Sequence, residues 1–303
     1  MRILVTGANG QLGQTVLEQL NEGGKHDIIA SARTKSVLET PPWEHIGLNI
    51  SNAEQIHYAL EYYKPDAVLN CAAMTHVDNC EKNPDLSYLM NAEATSYLAK
   101  ECARKGVYLC HVSTDFVFDG EGEGWYTEDH EPRPVNVYGK HKLKGEKLIR
   151  QTPDLNYSIL RTIVVYGVSP YVATNNMILW AKAALEKGES IKVITDQHRS
   201  ITYVEDLARA CIGAMEKRVS GTYHISGGER ASVYEWIDRM AKHWNISTES
   251  MSETTSAELN QPALRPPKTG FILDKATRDL NYSPTPFEKS LDQMAEKLKN
   301  SLA

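Results

Sequence analysis

Short apolar runs and amphipathic stretches alternate along the first half of the chain. The nearly continuous apolar runs include RILVTG, DIIASAR, AVLNCAA and VYLCHVST, and stretches with helical spacing such as QLGQTVLEQL and AEQIHYALEYY separate them. Buried parallel strands appear as continuous apolar runs because helices cover both faces of their sheet. The pattern therefore predicts an α/β fold with a doubly wound parallel sheet, continuing through a helix after residue 136 into YSILRTIVVYG.

The pattern becomes less regular after about residue 168. It predicts a helix (NNMILWAKAALEKG), a strand (IKVI), helices from Val204 and Ser232, and a short strand (GTYHIS), with STESMSETTSAELNQPALRPP as a polar loop. Open α/β sheets bind ligands at the carboxyl ends of their strands. We therefore predict a Rossmann-like domain over residues 1–168. Residues 169–303 would form mainly a smaller substrate-binding lobe across that edge, with some later elements returning to the first domain.

Composition and charge argue against several classes of function. The 303 residues are 24% charged and 41% hydrophobic with a net charge of −6, which is ordinary for a soluble globular protein. We expect no nucleic-acid partner, because KHKLKGEK is the one notable basic run, and no membrane partner, because no apolar run is long enough. Five cysteines without CxxC or metal-like spacing predict no metal site, and His111 is expected to be structural. A first strand at MRILVTG leaves no room for a signal peptide, so we expect a cytoplasmic protein.

The first predicted strand ends in TGANGQLG, which leads directly into a helix. Glycines at such a turn let the backbone approach a pyrophosphate, and the helix N-terminus supplies N–H donors and positive potential. The alternative interpretation is a tight turn without a ligand. Strand, glycines and helix occur here in the order that a dinucleotide-binding motif requires. The predicted cofactor contacts at this turn are Gly7, Gly10, Gln11, Leu12 and Gly13.

The spacing GxxGxxG, together with Tyr138 four residues before Lys142, resembles the extended branch of the short-chain dehydrogenase/reductase superfamily. The segments most similar to dTDP-4-dehydrorhamnose reductases are NCAAMTHVDNCE (70–81), STDFVFDG (113–120), YGKHKLKGE (138–146), LRTIVVYG (160–167) and ITYVEDLA (201–208). This resemblance covers almost the whole chain. It implies an NADPH-dependent oxidoreductase that reduces a nucleotide-diphospho-4-keto-6-deoxysugar, as in dTDP-rhamnose biosynthesis, and it is compatible with a homodimer.

Reducing a ketone requires a hydride on one face of the carbonyl and a proton for the forming alkoxide. By resemblance, Tyr138 donates the proton and Lys142 holds the nicotinamide ribose. A phenol with a pKa of about 10 is poorly matched to neutral pH, and we expect the Lys142 ammonium, on the same helix face, to lower that pKa. Thr114 matches the hydroxyl that binds the carbonyl oxygen. The alternative for the pair is an exposed helix with a solvated lysine.

The residues after the second strand, DIIASARTK, bear on the choice of cofactor. An acid there would bind the ribose hydroxyls of NAD, but the chain has Arg33 and Lys35 and no acid. Arg33 could pair with a 2′-phosphate, so NADPH is favoured over NADH; the alternative is a solvated Arg33. By motif position, the further cofactor contacts are Asn49 and Ile50 at the adenine, Ala73, Met74 and Thr75 along the ribose and pyrophosphate, and Val112 at the nicotinamide.

Three further residues are expected to contact the substrate beside Thr114 and Tyr138. By resemblance Asp115 contacts the sugar, and Val164 stands where many dTDP-4-dehydrorhamnose reductases have a tryptophan. Arg199, in DQHRSITYVEDLA, would suit an anionic diphosphate. These departures leave the identity of the sugar open, and the sequence does not decide whether Mg²⁺ is needed.

Two other functions are compatible with these motifs. Sugar-nucleotide epimerases and 4,6-dehydratases resemble the chain, but such dehydratases typically continue Thr-Asp-Glu where this chain has Thr114-Asp115-Phe116, and epimerases usually keep NAD bound. A non-catalytic NADP-binding regulatory subunit, like the β subunit of methionine adenosyltransferase, is the alternative from another class, since fold does not determine function. The intact set of Thr114, Tyr138 and Lys142 favours the reductase.

Overall fold

The structure, a computed structural model, describes residues 1–169 and 176–300, so residues 170–175 and 301–303 of the predicted lobe lie outside the described residues. The strands are β1 (Arg2–Thr6), β2 (Asp27–Ala32), β3 (Glu44–Gly47), β4 (Ala67–Asn70), β5 (Tyr108–Thr114), β6 (Trp125–Tyr126), β7 (Tyr157–Thr162), β8 (Val165–Tyr166), β9 (Ile191–Ile194), β10 (His198–Arg199), β11 (Thr202–Tyr203), β12 (Gly221–Ile225), β13 (Ala231–Ser232), β14 (Met251–Thr254) and β15 (Lys268–Phe271).

The α-helices are α1 (Gln11–Gly23), α2 (Ala53–Tyr63), α3 (Val77–Lys82), α4 (Pro84–Tyr88), α5 (Ala94–Lys105), α6 (Val137–Arg150), α7 (Met177–Glu186), α8 (Val204–Lys217), α9 (Val233–His243), α10 (Ser256–Leu259), α11 (Asp274–Leu280) and α12 (Phe287–Asn300). A π-helical turn (Leu89–Glu93) precedes α5, and a 3-10 turn (Asp115–Val117) follows β5. Within the described part of the chain, no helix has the length and apolar character that a membrane span requires.

Seven strands form one parallel sheet in the order β12-β7-β5-β4-β1-β2-β3. Leu4 of β1 lies beside Ile29 of β2 and Val68 of β4, and all three side chains are buried. Such runs of buried apolar residues are expected where helices cover both faces of a sheet. The strand order reverses between β1 and β4, because the chain builds outward from β1 first on one side and then on the other. The predicted doubly wound parallel α/β fold is confirmed.

The second half of the chain also contributes to the main sheet. Strand β12 pairs with β7 and forms an edge of the sheet. Leu207 and Cys211 of α8 belong to the same buried apolar cluster as Val16 and Leu20 of α1. Elements from both sides of residue 168 therefore share one core, and the division into a cofactor domain and a substrate lobe stays a prediction about binding roles.

The remaining strands form small sheets, most of which pack on a second apolar cluster, whereas Tyr126 of β6 and Phe271 of β15 belong to another cluster. One sheet has the order β13-β10-β15-β6, and the pairs β8–β11 and β9–β14 stand beside it. The cluster includes Trp236 and Met240 of α9 with Ile178 of α7. The loop predicted over residues 247–267 is partly wrong, because it contains β14, which pairs with β9, and α10, which begins with a capping box of Thr255 and Glu258. A four-residue strand held by main-chain hydrogen bonds carries too little periodicity to be detected.

Helix α6 directs a stripe of polar side chains into the interior. Tyr138, Lys142 and Glu146 are spaced four residues apart and all are buried. The Glu146 carboxylate accepts hydrogen bonds from Arg161 of β7 at 2.7 and 2.9 Å and from the Ser113 hydroxyl at 2.6 Å. Burial acts to raise the pKa of Glu146, but the hydrogen bonds and charge of Arg161 outweigh it and leave that pKa lowered. The ion pair thus fastens α6 to the sheet.

We expect Glu146→Gln to lower the free energy of unfolding by about 3–5 kcal/mol, because it leaves the buried Arg161 guanidinium without a counter-charge. Urea unfolding at neutral pH measures this. Asp238→Asn removes one carboxylate from an exposed pair with Lys242 on α9 and is the matched control, for which the unfolding midpoint should not change. Equal midpoints for Glu146→Gln and the wild type would contradict the role given to this pair.

Candidate active site

A cavity of about 640 Å³ opens where β1, β2, β4, β5 and β7 end. It lies at the reversal of strand order between β1 and β4, where open α/β sheets bind ligands. Most residues predicted from the sequence line it, although they come from distant segments of the chain. They are Gly7, Gly10, Gln11, Leu12, Gly13, Arg33, Ile50, Ala73, Thr75, Val112, Thr114, Asp115, Tyr138, Lys142 and Val164.

The glycine turn between β1 and α1 has a backbone that larger residues would disturb. Gly7 has a φ of +70°, in the left-handed region that favours glycine. A Cβ on Gly13 would lie 2.4 Å from the Gly7 carbonyl oxygen, so the helix start and the turn are in direct contact. Gly10 is the N-cap of α1 and provides no side-chain hydrogen bond to the first turn. The Gly10 N–H donates to the Gly7 carbonyl oxygen at 2.9 Å, so the N–H groups that face an anion are those of the first turn of α1.

The start of α6 is placed by close backbone contacts. Asn136 caps the helix by accepting a hydrogen bond from the Gly139 N–H at 2.8 Å. A Cβ on Gly139 would lie 2.0 Å from the carbonyl oxygen of Phe116, so only glycine allows the helix to approach the turn after β5 this closely. The Phe116 ring meets the ring of Tyr138 edge-on, with centroids 5.7 Å apart. These contacts hold Tyr138 against the end of β5.

The pKa of Tyr138 is raised, which is opposite to the predicted direction. Burial is the main cause, a hydrogen bond with Thr114 opposes it, and the nearby charge of Asp115 adds to it. The expected lowering by Lys142 is not found, and the lysine ammonium lies against acceptors on β5 instead. The prediction was wrong because sequence spacing shows that two side chains share a helix face but not how deeply that face is buried.

Lys142 is buried and donates hydrogen bonds to groups on β5. Its Nζ lies 2.7 Å from the Val112 carbonyl oxygen and 3.1 Å from Nε2 of His111. Burial lowers the pKa of Lys142 to about 8, and the negative charge of Glu146 works in the opposite direction. Lys142 is therefore a cation close to its titration point, held by two acceptors of the sheet.

The hydroxyl of Thr114 and the carboxylate of Asp115 form a short buried chain. Thr114 Oγ1 donates to Asp115 Oδ1 at 3.1 Å, and Thr269 Oγ1 of β15 donates to Asp115 Oδ2 at 2.6 Å. Burial raises the pKa of Asp115, against the lowering effects of Arg199 and these hydroxyls. Because β15 comes from the later part of the chain, Asp115 connects that part to the side chains around Tyr138.

Val164 has an unusual backbone conformation. Its φ is +28°, in a region that a β-branched residue rarely adopts. Strain of this kind persists only where the surroundings enforce it and is concentrated at functional sites. The Thr202 N–H donates to the Val164 carbonyl oxygen at 3.1 Å and helps to hold the conformation. Val164 is thus held in the cavity wall.

The loop after β2 forms the far end of the cavity. Arg33 and Thr34 line it. Asn9 of the glycine turn donates to Thr34 Oγ1 at 3.0 Å and to the Lys35 carbonyl oxygen at 2.8 Å. The turn and the loop that carries Arg33 are therefore joined. Sequence reasoning assigned no role to Asn9, although its place inside TGANGQLG was a signal for one.

Two residues predicted to contact the cofactor do not line the cavity. Asn49 accepts hydrogen bonds from the main chain and hydroxyl of Ser51, which makes it a turn residue beside Ile50. The backbone of Met74 exchanges two hydrogen bonds of 3.0 Å with the side chain of Asn91. In both cases adjacent residues line the cavity instead: Ile50 beside Asn49, and Ala73 and Thr75 beside Met74.

Arg199 requires the largest correction. The structure does not place it in the cavity wall: it is 2% exposed, and its guanidinium donates to the carbonyl oxygens of His198 at 2.9 Å and Pro267 at 3.2 Å. It also donates to Pro266 and Gln197. These acceptors occupy the donors that a diphosphate would need, so the predicted role is replaced by that of a buried brace for the proline segment.

Several cavity residues were not predicted from the sequence. Within quoted motifs they are Ala32, Cys71, Ala72, Val77, Ser113, Phe116, Thr162, Val165 and Leu207, and elsewhere they include Leu48 and Met90. Residues such as Ala32, Leu48 and Ser113 directly adjoin predicted positions and could have been found by extending those predictions by one position. Val77, Met90 and Leu207 lie on helical segments that only the folded chain brings to the cavity. Residues 1–169 and 176–300 contain no cluster of three or more His, Cys, Asp or Glu side chains able to hold a metal ion.

The family model described as RmlD substrate binding domain matches residues 1–300. Among curated proteins, the chain is 31% identical over 295 residues to the probable low-salt glycan biosynthesis reductase Agl14 of Haloferax volcanii, covering 96% of each chain. It is 37% identical over 254 residues to the spore coat polysaccharide biosynthesis protein SpsK of Bacillus subtilis, covering 84% of this chain and 83% of SpsK. It is 31% identical over 261 residues to methionine adenosyltransferase 2 subunit beta of Bos taurus, covering 84% and 76%.

Solved structures of dTDP-4-dehydrorhamnose reductases are also similar to the chain over almost its whole length. A dTDP-4-dehydrorhamnose reductase from Clostridium acetobutylicum is 30% identical, with a TM-score of 0.86 and coverage of 99% of this chain and 100% of that one. A dTDP-4-dehydrorhamnose reductase from Bacillus anthracis in complex with NADP is 29% identical, with a TM-score of 0.86 and coverage of 98% and 99%. The similarity in both cases extends over the whole fold, including the end of the sheet where the cavity lies.

Proposed function

The chain belongs to the RmlD substrate-binding-domain family, and from this premise we propose that it reduces a nucleotide-diphospho-4-keto-6-deoxysugar with NADPH. The observation that carries the proposal is one cavity that contains the glycine turn, Arg33, Thr114, Tyr138 and Lys142. The glycine turn that would hold the cofactor, the phenol that would donate the proton and the Lys142 ammonium therefore line the same cavity. A glycan reductase and dTDP-4-dehydrorhamnose reductases among the similar proteins support the same class of reaction.

The residues of the glycine turn fit a dinucleotide. Side chains at Gly7 or Gly13 would collide with neighbouring backbone, at 2.8 Å from the Ala72 nitrogen and 2.4 Å from the Gly7 oxygen respectively, so the turn stays open for a pyrophosphate. The first turn of α1 would bind the phosphates, Arg33 the 2′-phosphate, and Lys142 the ribose hydroxyls. When bound, NADPH supplies the hydride.

Tyr138 supplies the proton to the forming alkoxide. Its raised pKa keeps the phenol protonated at neutral pH, which is the state a proton donor needs, and an alkoxide is basic enough to take that proton. The Thr114 hydroxyl, which lines the same cavity as Tyr138, marks the proposed position for the carbonyl oxygen. Asp115 and Val164 are proposed to contact the sugar, and Arg199 is left out of the site.

The regulatory alternative has one observation in its favour, the 31% identity to the methionine adenosyltransferase subunit. An epimerase or dehydratase of the same superfamily is the other alternative, and Phe116 occupies the position where such dehydratases carry an acid. A chain that binds NADPH but reduces no nucleotide 4-keto-6-deoxysugar would favour the regulatory function. An epimerase or dehydratase function would be favoured instead if the protein converted a nucleotide sugar that carries no keto group into its epimer or into a 4-keto product.

We expect Tyr138→Phe to lower kcat by about 10²–10⁴-fold, because it removes the proton donor while retaining the ring that meets Phe116. The affinity for NADPH should change little. The measurement is NADPH oxidation in the presence of nucleotide 4-keto-6-deoxysugars. Tyr157→Phe, at the start of β7 and outside the cavity, is the control for loss of a phenol. A variant Tyr138→Phe with the wild-type rate would show that another group donates the proton.

We expect the wild type to bind NADPH more tightly than NADH, and Arg33→Ala to lose most of that preference. A hydrogen bond to a charged group is worth about 1.5–3 kcal/mol, which corresponds to roughly 10- to 150-fold in NADPH affinity. Fluorescence titration with both cofactors tests this. Lys25→Ala, which removes the same charge from an exposed site after α1, should leave both affinities unchanged. Equal affinities of the wild type for the two cofactors would refute the assignment of NADPH.

A further inference from the structure

His111 lies at the centre of a buried polar network behind the cavity. Its Nε2 accepts a hydrogen bond from Lys142 Nζ at 3.1 Å, and its Nδ1 lies 3.1 Å from the side-chain amide of Asn70. That amide lies in turn 2.7 Å from the hydroxyl of Thr6. All four side chains are at most 2% exposed. The network runs from the end of β1 through β4 and β5 to helix α6.

The chemistry of the partners determines the protonation of His111. An ammonium can only donate, so the charged form of Lys142 requires an unprotonated Nε2. A neutral imidazole then carries its proton on Nδ1, and the oxygen of the Asn70 amide must face the ring to accept it. In the structure Nδ2 of Asn70 faces the ring and its Oδ1 faces the Thr6 hydroxyl, so this assignment requires the amide to be rotated by 180°. The same heavy-atom positions accommodate that rotation. Burial lowers the pKa of His111 well below its ordinary value, so the neutral ring is maintained.

We propose that His111, oriented by Asn70, is the positioning residue that keeps Lys142 charged and directed toward the cavity. A buried ammonium needs acceptors to offset the loss of water. Val112 offers a carbonyl oxygen and His111 a ring nitrogen, and the third N–H remains for the cavity. Without His111, one N–H of a buried cation would have no acceptor, and the neutral amine would be favoured.

The other titratable groups that face Lys142 do not replace this acceptor. Glu146, on the same helix, favours the charged form through its negative charge, but its carboxylate is engaged by Arg161. Cys71, after β4, is a neutral thiol because burial raises its pKa. His111, on β5, is the remaining titratable group that contacts Lys142, and its neutral ring carries no charge. Its contribution is therefore a hydrogen bond to the charged form of Lys142, which raises the pKa of the lysine.

The network also joins Lys142 to the glycine turn. Thr6 and Asn70 are the last residues of β1 and β4, immediately before the segments that carry Gly7 and Ala73. The Thr6 hydroxyl accepts a weak hydrogen bond from the Ala72 N–H at 3.4 Å. The lysine and the two backbone segments that would hold the cofactor thus share one set of buried contacts. The relevance of this link to cofactor binding rests on the proposed function, whereas the effect on Lys142 does not.

The experiment measures the titration of Lys142 directly in the unliganded protein. Trace acetylation with acetic anhydride over a series of pH values, followed by peptide mass spectrometry, reports the fraction of neutral amine at this residue. The variants are His111→Leu, which removes the acceptor, and His111→Gln, which keeps an amide oxygen available to accept. Leu109→Val, two residues earlier on β5 and buried in the core, controls for general loosening of the strand.

We expect a wild-type midpoint near pH 8, from the lysine pKa of about 8. In His111→Leu it should fall by about 1–2 pH units, the equivalent of one hydrogen bond to a charged group. His111→Gln should restore most of the shift, and Leu109→Val should show none. NADPH affinity near neutral pH should fall by roughly 2- to 10-fold in His111→Leu, in parallel with the loss of charge.

The inference is overturned if His111→Leu keeps the wild-type midpoint. It is equally overturned if His111→Gln or Leu109→Val shifts the midpoint as far as His111→Leu does. A wild type that binds no NADPH would count against the proposed function alone, because the acetylation midpoints would still decide the role of His111.

Discussion

The burial of the polar stripe of α6 against β5 and β7 is the constraint on which the rest of the site depends. Tyr138, Lys142 and Glu146 can enter the interior only if each finds a partner, since an unpaired buried charge is strongly destabilising. Glu146 has the guanidinium of Arg161, Lys142 has two acceptors on β5, and the Tyr138 ring packs edge-on against Phe116, just after β5. These pairings together define one position of the helix on the sheet, and it is the position that brings Tyr138 to the cavity.

Burial shifts the pKa of the Tyr138 phenol and the pKa of the Lys142 ammonium in opposite directions. It raises the pKa of Tyr138 and lowers that of Lys142, since desolvation disfavours whichever form is charged. The resting site therefore contains a protonated phenol beside a lysine that is close to losing its charge. Such a site suits proton donation to a strongly basic alkoxide. It also makes the charge of Lys142 dependent on its acceptors rather than on the residue type alone.

The early and the later parts of the chain contribute to different parts of the site. The glycine turn and the side chains at the end of β5 lie on the main sheet, whose strands confine them. The later part of the chain meets the site through Thr269, which holds Asp115, and through the strained backbone of Val164. These contacts of the later part of the chain lie outside the main parallel sheet.

Local sequence patterns determined much of the fold of this protein and part of its candidate site. Residue periodicity predicted the parallel sheet, the glycine spacing predicted a turn at the end of β1, and the four-residue interval placed Tyr138 and Lys142 on one helix face. These features depend on neighbours in sequence, so sequence patterns carry them. Tertiary structure alone decided the direction of the Tyr138 pKa shift, the enclosure of Arg199 by carbonyl oxygens and the contact of His111 with Lys142. Each of these depends on depth of burial and on partners from distant strands, and neither quantity is encoded in the spacing of residues along one segment.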